Sequence, residues 1–205
     1  VPFHKPTIYL FPGGDGASAV FGVRGLTLLI DGGYARQTSN WQFVRHLDRV
    51  DAVLVSHLGV DNLFGVTSLI DRISSAGDIQ TSFGPVYFNT CPSSPSKSGS
   101  AVDPLLLSLS DVGSSLVNKL QKVDLTVLPC TATANGQPVN LYFKIGFGSV
   151  DMYVLNPAES GGASSKTAKG GNAVESCVAS IVVFKPAAPG TKPVRVLLSL
   201  IQYFG

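Results

Sequence analysis

The chain has 205 residues, enough for one well-cored domain and too few for two of ordinary size. Hydrophobic residues make up 44% and charged residues 14%, which excludes a disordered polypeptide, and a formal net charge of +2 gives little electrostatic case for a nucleic-acid partner. No apolar run approaches the ~18 residues of a membrane span, so no membrane partner is expected.

The first residues, Val1-Pro2-Phe3-His4-Lys5-Pro6, carry neither an initiator Met nor a signal peptide's apolar stretch, and we expect the chain to be a piece of something longer. Thr7 to Phe11 is rich in β-formers and stops at Pro12-Gly13-Gly14-Asp15-Gly16. That Gly-rich run lacks the Gly-Lys-Ser/Thr ending of a phosphate loop, and a strand follows it, so it reads as a hairpin. Ser18 to Val23 is the second strand, Arg24-Gly25 a tight turn, and Leu26 to Ile30 a continuous apolar run suited to a buried strand. It ends at Asp31-Gly32-Gly33.

Ser39 to Leu47 predicts a helix with Trp41, Val44 and Leu47 on one face. Its end, with Arg45, His46, Asp48, Arg49 and Asp51, reads as a solvated mixed-charge patch. Ala52 to Val55 is another buried strand, ending at Ser56-His57. Apolar residues at 63, 66, 69, 70 and 73 have a helical period. Pro85 to Phe88 is a strand. Residues 91–104 are rich in Ser and Pro and read as a flexible loop. A helix follows Pro104, weakened by Gly113. Strands are predicted at 125–128, 139–145, 151–155, 177–184 and 194–200, with a second flexible loop over 158–176 that holds Lys166 and Lys169. The three cysteines, Cys91, Cys130 and Cys177, form no C-x-x-C pair; their odd count fits a reducing compartment and small apolar roles. Buried strands with amphipathic helices between them predict an α/β or α+β layered domain.

Three features fall at strand ends, where layered α/β folds build ligand sites: Asp31-Gly32-Gly33, Ser56-His57-Leu58-Gly59-Val60-Asp61-Asn62 and Leu155-Asn156-Pro157. The middle one resembles the S/T-H-x-H-x-D-H signature of the metallo-β-lactamase superfamily. The resemblance implies an αββα sandwich whose His and Asp side chains gather zinc, which needs N and O ligands and an open position for water. Ligand by ligand, His57 and Asp61 are present. Gly59 and Asn62 stand where imidazoles are expected, and so does Asn156. No acid follows Leu197-Leu198. Two of about six ligands cannot hold a hydrolytic dimetal centre, so His57, Gly59, Asp61, Asn62, Asn156 and Asp31 read as the relic of a metal site, with no cofactor and no catalytic residue expected. Without a metal, His57 is expected to serve as a turn residue and Asp61 as a helix N-cap or first-turn acid. The alternative is a metal-dependent hydrolase with a reduced site using His57, Asp61 and Asp31.

A narrower resemblance rests on several blocks: Lys5 to Gly14, Trp41-x-Phe43-Val44-Arg45-His46-Leu47-Asp48-Arg49-Val50-Asp51 through His57, Asp61-Asn62-Leu63-x-Gly65, Asp151 to Pro157, and Pro193 to Leu197. These are similar to the N-terminal heavy-chain region of the microtubule-associated protein 1 family, with Trp41, Arg45, His46, Asp48 and Arg49 as signature surface. The resemblance implies a non-catalytic scaffold within a large cytoplasmic, cytoskeleton-associated, neuronal protein. Through its full length such a protein binds and stabilises microtubules and associates with actin, alongside other protein partners. The family's basic repeats are not in this chain, so its own affinity for tubulin does not follow. The final residues, Leu198 to Gly205, depart from the family pattern, which leaves an expectation that the outer face of the second sheet is incompletely covered.

Overall fold

The computed structural model describes residues 3–12, 14, 16–34, 41–75, 80–88, 104–128, 130, 137–156 and 178–198; both predicted flexible loops, Pro104 apart, lie outside them. The elements begin with β1 (Thr7–Leu10), β2 (Ala19–Val23), β3 (Leu26–Ile30), α1 (Trp41–Val44), β4 (Arg49–Val50) and β5 (Ala52–Leu54). They continue with α2 (Val60–Ser74), β6 (Ser82–Phe83), β7 (Val86–Tyr87), α3 (Pro104–Lys122) and β8 (Val127–Leu128). The last four are β9 (Val139–Lys144), β10 (Gly148–Asn156), β11 (Ala179–Pro186) and β12 (Val194–Leu198).

The first sheet has the order β1-β2-β3-β5-β7-β8. Its first three strands are an antiparallel meander, and β3, β5, β7 and β8 pair in parallel. Parallel neighbours require a crossover, and α1, α2 and α3 supply one each. The hairpin reading of the early Gly-rich run holds: β1 and β2 pair across it, closed by Phe11 N–H donating to the Ser18 carbonyl at 2.9 Å.

Side-chain alternation explains why the central strands read as unbroken apolar runs. Val20, Leu29, Val53 and Val86 point to one face, where they pack with Val44, Leu63, Leu69, Leu116 and Leu120 from the helices. Phe21, Leu28, Leu54 and Tyr87 point to the other, against Val150, Met152 and Val182 of the second sheet. Each such buried side chain contributes about 1.5–3 kcal/mol by leaving water. The second sheet, β12-β11-β10-β9, is antiparallel throughout. Its inner face closes the sandwich. Its outer face carries Phe143, Leu155 and Leu197, all exposed, and among the described residues all three helices lie on the first sheet. Of the expected four layers, three are therefore described: helices, sheet, sheet. None of the helices is long and apolar enough to cross a membrane.

Three local expectations are corrected. The helix expected to run to Leu47 ends at Val44 instead, because His46 and Leu47 N–H bond back to the carbonyls three residues earlier, Phe43 and Val44, and close the helix there. A short parallel pair, β4 with β6, was not foreseen, since two-residue strands carry no periodicity. Finally, Asp51 is not part of a solvated patch. Its side chain is 8% exposed, accepts Thr27 N–H at 2.7 Å and pairs with Arg49 Nε at 2.7 Å. Arg45, His46 and Asp48 are exposed as expected, while the Asp48 carbonyl accepts Ser82 N–H at 3.1 Å; the side chain of Trp41 lies outside the described residues.

Candidate functional site at the strand ends

The predicted strand-end features meet beyond the C-terminal ends of β3 and β5. Asp31 extends the β3–β5 ladder by one rung, its N–H donating to the Leu54 carbonyl at 2.9 Å. The chain then turns at once: Asp31 has φ 51°, a left-handed conformation that Asp tolerates better than most residues. This turn aims the carboxylate back into the protein, where it is 0% exposed. Ser56 N–H donates to Oδ1 at 2.8 Å and Ser56 Oγ donates to Oδ2 at 2.5 Å. Both carboxylate oxygens are thus engaged by one residue of the loop after β5. Ser56 in turn accepts Val178 N–H on its carbonyl at 2.7 Å, which ties the start of β11 to the same loop.

The helix α2 is clamped onto this turn by backbone alone. Gly32 N–H donates to the Asn62 carbonyl at 2.8 Å, and Gly65 N–H donates to the Gly33 carbonyl at 3.0 Å. The two glycines pass so closely that a Cβ at Gly65 would collide with the Gly32 carbonyl, and a Cβ at Gly32 with the Val66 amide. Glycine inside a helix costs about 1 kcal/mol relative to alanine, and this crossing is the reason for it here. Tyr34 and Phe64 stack edge-on beside the crossing at 4.9 Å.

The signature residues take these places. His57 is buried, 7% exposed, in the loop before α2. Gly59 is the N-cap of α2 with no side-chain cap bond, so Asp61 stands in the first turn, the second of its two expected structural positions. The Asp61 side chain lies outside the described residues. Asn62 is buried; its Oδ1 accepts Ala17 N–H at 3.4 Å, and its Nδ2 has no hydrogen-bond partner among the described residues. Asn156 ends β10 opposite Ala179, next to the residue that bonds Ser56, so all three predicted features converge on one loop cluster.

The donor set does not fit a dimetal centre. Gly59 offers no ligand atom, Asn62 turns its only oxygen toward the loop before β2, and both Asp31 oxygens are already held by Ser56. Among the described residues, no three His, Cys, Asp or Glu side chains converge. Sequence reading missed the role of Ser56; its place directly before His57, after a buried strand, was the available signal. In the core between the sheets, burial pushes the Cys130 thiol up to about 12 and raises Tyr87 as well. Cys91 and Cys177 lie outside the described residues.

Comparison with known proteins gives a family and a fold. The model of the MAP1B MBL-like domain matches residues 1–201. Microtubule-associated protein futsch of Drosophila melanogaster is 41% identical over 162 residues, covering 77% of this chain and 3% of its own length. Human microtubule-associated protein 1S is 36% identical, covering 94% of this chain and 18% of its own length. Rat (Rattus norvegicus) microtubule-associated protein 1A is 33% identical, covering 94% and 8%. The chain thus spans less than a fifth of each of these three relatives. Among solved structures, an archaeal metallo-β-lactamase superfamily protein from Sulfolobus tokodaii is 13% identical with a TM-score of 0.44, covering 87% of this chain and 61% of its own. The short form of human tRNase Z is 12% identical with a TM-score of 0.44, covering 96% and 65%.

Proposed function

The chain belongs to the family of MAP1B MBL-like domains, and from that premise we propose that it is a non-catalytic interaction module of a longer microtubule-associated protein. The observation that carries this reading is the internal use of the strand-end groups. Where a hydrolase would aim carboxylate and imidazole at a metal and its water, Asp31 is spent on Ser56, Asn62 faces Ala17, and Gly59 has no side chain to offer. His57, Gly59, Asp61, Asn62, Asn156 and Asp31 are on this reading the relic of a metal site, kept as architecture. The protein of which this is part binds and stabilises microtubules, associates with actin and resides in the cytoplasm on the cytoskeleton, in neurons. The names of the relatives support the microtubule part of that statement.

The test is co-sedimentation of this 205-residue chain with taxol-stabilised microtubules and with actin filaments, beside the full-length protein. Expected is pelleting of the full-length protein with microtubules and little pelleting of the chain alone at physiological salt, since a net charge of +2 gives a weak pull on acidic surfaces. Failure of the full-length protein to pellet would overturn the cytoskeletal reading.

A further inference from the structure

The opposite end of the sandwich offers a different chemistry. There the Arg24-Gly25 turn enters β3, the segment before β1 runs alongside it, and the β9–β10 turn closes the second sheet. Phe3, His4, Arg24, Gly25, Lys144 and Phe147 line an open pocket of about 280 Å³. We propose that this pocket is an anion site that takes the phosphoryl group of a phosphorylated peptide.

The pocket carries two cations, Arg24 and Lys144, among its lining residues. Among the described residues no carboxylate lines it, and neither Arg24 nor Lys144 has an acidic partner. Both are nonetheless held in place. Arg24 Nε donates to the His4 carbonyl at 3.1 Å, which fixes the guanidinium and leaves its terminal N–H groups for a ligand. Lys144 Nζ stands 4.6 Å over the Phe147 ring, a cation–π contact. Phe3, buried against β2, anchors the segment that carries His4. An anion bound between Arg24 and Lys144 would take charge-assisted hydrogen bonds from both.

The ligand class follows from counting. A carboxylate brings one charge and two oxygens. A phosphoryl monoester brings about −1.5 to −2 and three acceptor oxygens, which suits a guanidinium and an ammonium lining one pocket. A nucleotide fits less well: Phe3 is buried and Lys144 stands over one face of the Phe147 ring, so at most one ring face is left to stack a base. A peptide fits better, because Ile145 in the same turn is exposed and gives a flanking apolar side chain somewhere to rest. The site does not rest on the scaffold reading, since it shares no residue with the strand-end loops.

The experiment is a titration of the isotopically labelled 205-residue chain, followed by amide NMR. Three probes are used at constant ionic strength: a phosphoserine peptide flanked by leucines, its unphosphorylated form, and inorganic phosphate. The phosphopeptide should shift the amides of Gly25 and residues 144–147, bind about tenfold more tightly than inorganic phosphate, and lose about tenfold in affinity in Arg24→Gln or Lys144→Gln. Lys144→Arg should keep binding. Both residues are exposed, so each variant should retain the dispersed spectrum of the parent chain. Equal affinity for inorganic phosphate, equal affinity for the unphosphorylated peptide, or binding indifferent to both substitutions would each overturn the proposal.

Discussion

The two ends of β3 are finished in opposite ways. At its C-terminal end the polar groups are turned inward: Asp31 is buried on Ser56, and two helix–loop hydrogen bonds lock Gly32 and Gly33 to α2. At its N-terminal end, Arg24 and Lys144 face solvent without an acidic partner among the described residues. One end behaves as core and the other as surface. A polar motif after a buried strand can thus be structural, while a pair of cations with no motif around them can be the chemically available group.

The sharpest way to break that comparison is to widen the glycine crossing. Gly65→Ala drives a methyl group into the Gly32 carbonyl with backbone on both sides, so neither partner can swing away. We expect a loss of about 3 kcal/mol or more, read from urea denaturation. Asp31→Ala comes next. It leaves the Ser56 N–H and hydroxyl buried without their acceptor, and it forces Ala to hold a φ of 51°. The expected cost is about 2–4 kcal/mol by the same measurement. If either change leaves stability untouched, the inward-facing end is not core.

The third effect is a pH dependence from the core between the sheets. The Cys130 thiol has its ordinary value of 9.0 raised to about 12 by burial. Unfolded chains therefore ionise first, so its stabilisation is complete below pH 9 and is lost as pH rises toward 12. Tyr87, raised by the same burial, adds in the same direction. The urea midpoint should fall over that range, and the fall should be shallower in Cys130→Ala. The smallest effect is expected on the helical face, where Lys119 pairs with Asp71 at 3.0 Å with both side chains exposed. Lys119→Ala should change stability by no more than about 0.5 kcal/mol, and less at high salt.

Much of the fold was legible because its strands are buried on both faces and its two long helices keep a clean apolar period. Leu26 to Ile30 and the 63–73 pattern could hardly have been read otherwise. The short pieces were not legible. The α1 turn ended early because its last amides bonded back three residues, and β4 and β6 are too brief for any pattern. At the strand ends, substitution at Gly59, Asn62 and Asn156 was plain in the residues themselves, whereas the partners of Asp31 and Asn62 were not, since hydrogen bonds between residues 25 or 45 apart leave no spacing to read. The same holds for Arg24 and Lys144, which only the fold brings to one pocket. Asp51 shows the reverse error: a charge in a charged run that turned out to be nearly buried.

We propose that the strand-end loop is architecture and holds no catalytic metal. The most direct test is elemental analysis of the chain purified without chelators, paired with hydrolase assays of the parent and His57→Ala. Zinc well below one atom per chain and no hydrolysis that depends on His57 are expected. Near-stoichiometric zinc together with a hydrolytic activity lost in His57→Ala would contradict it.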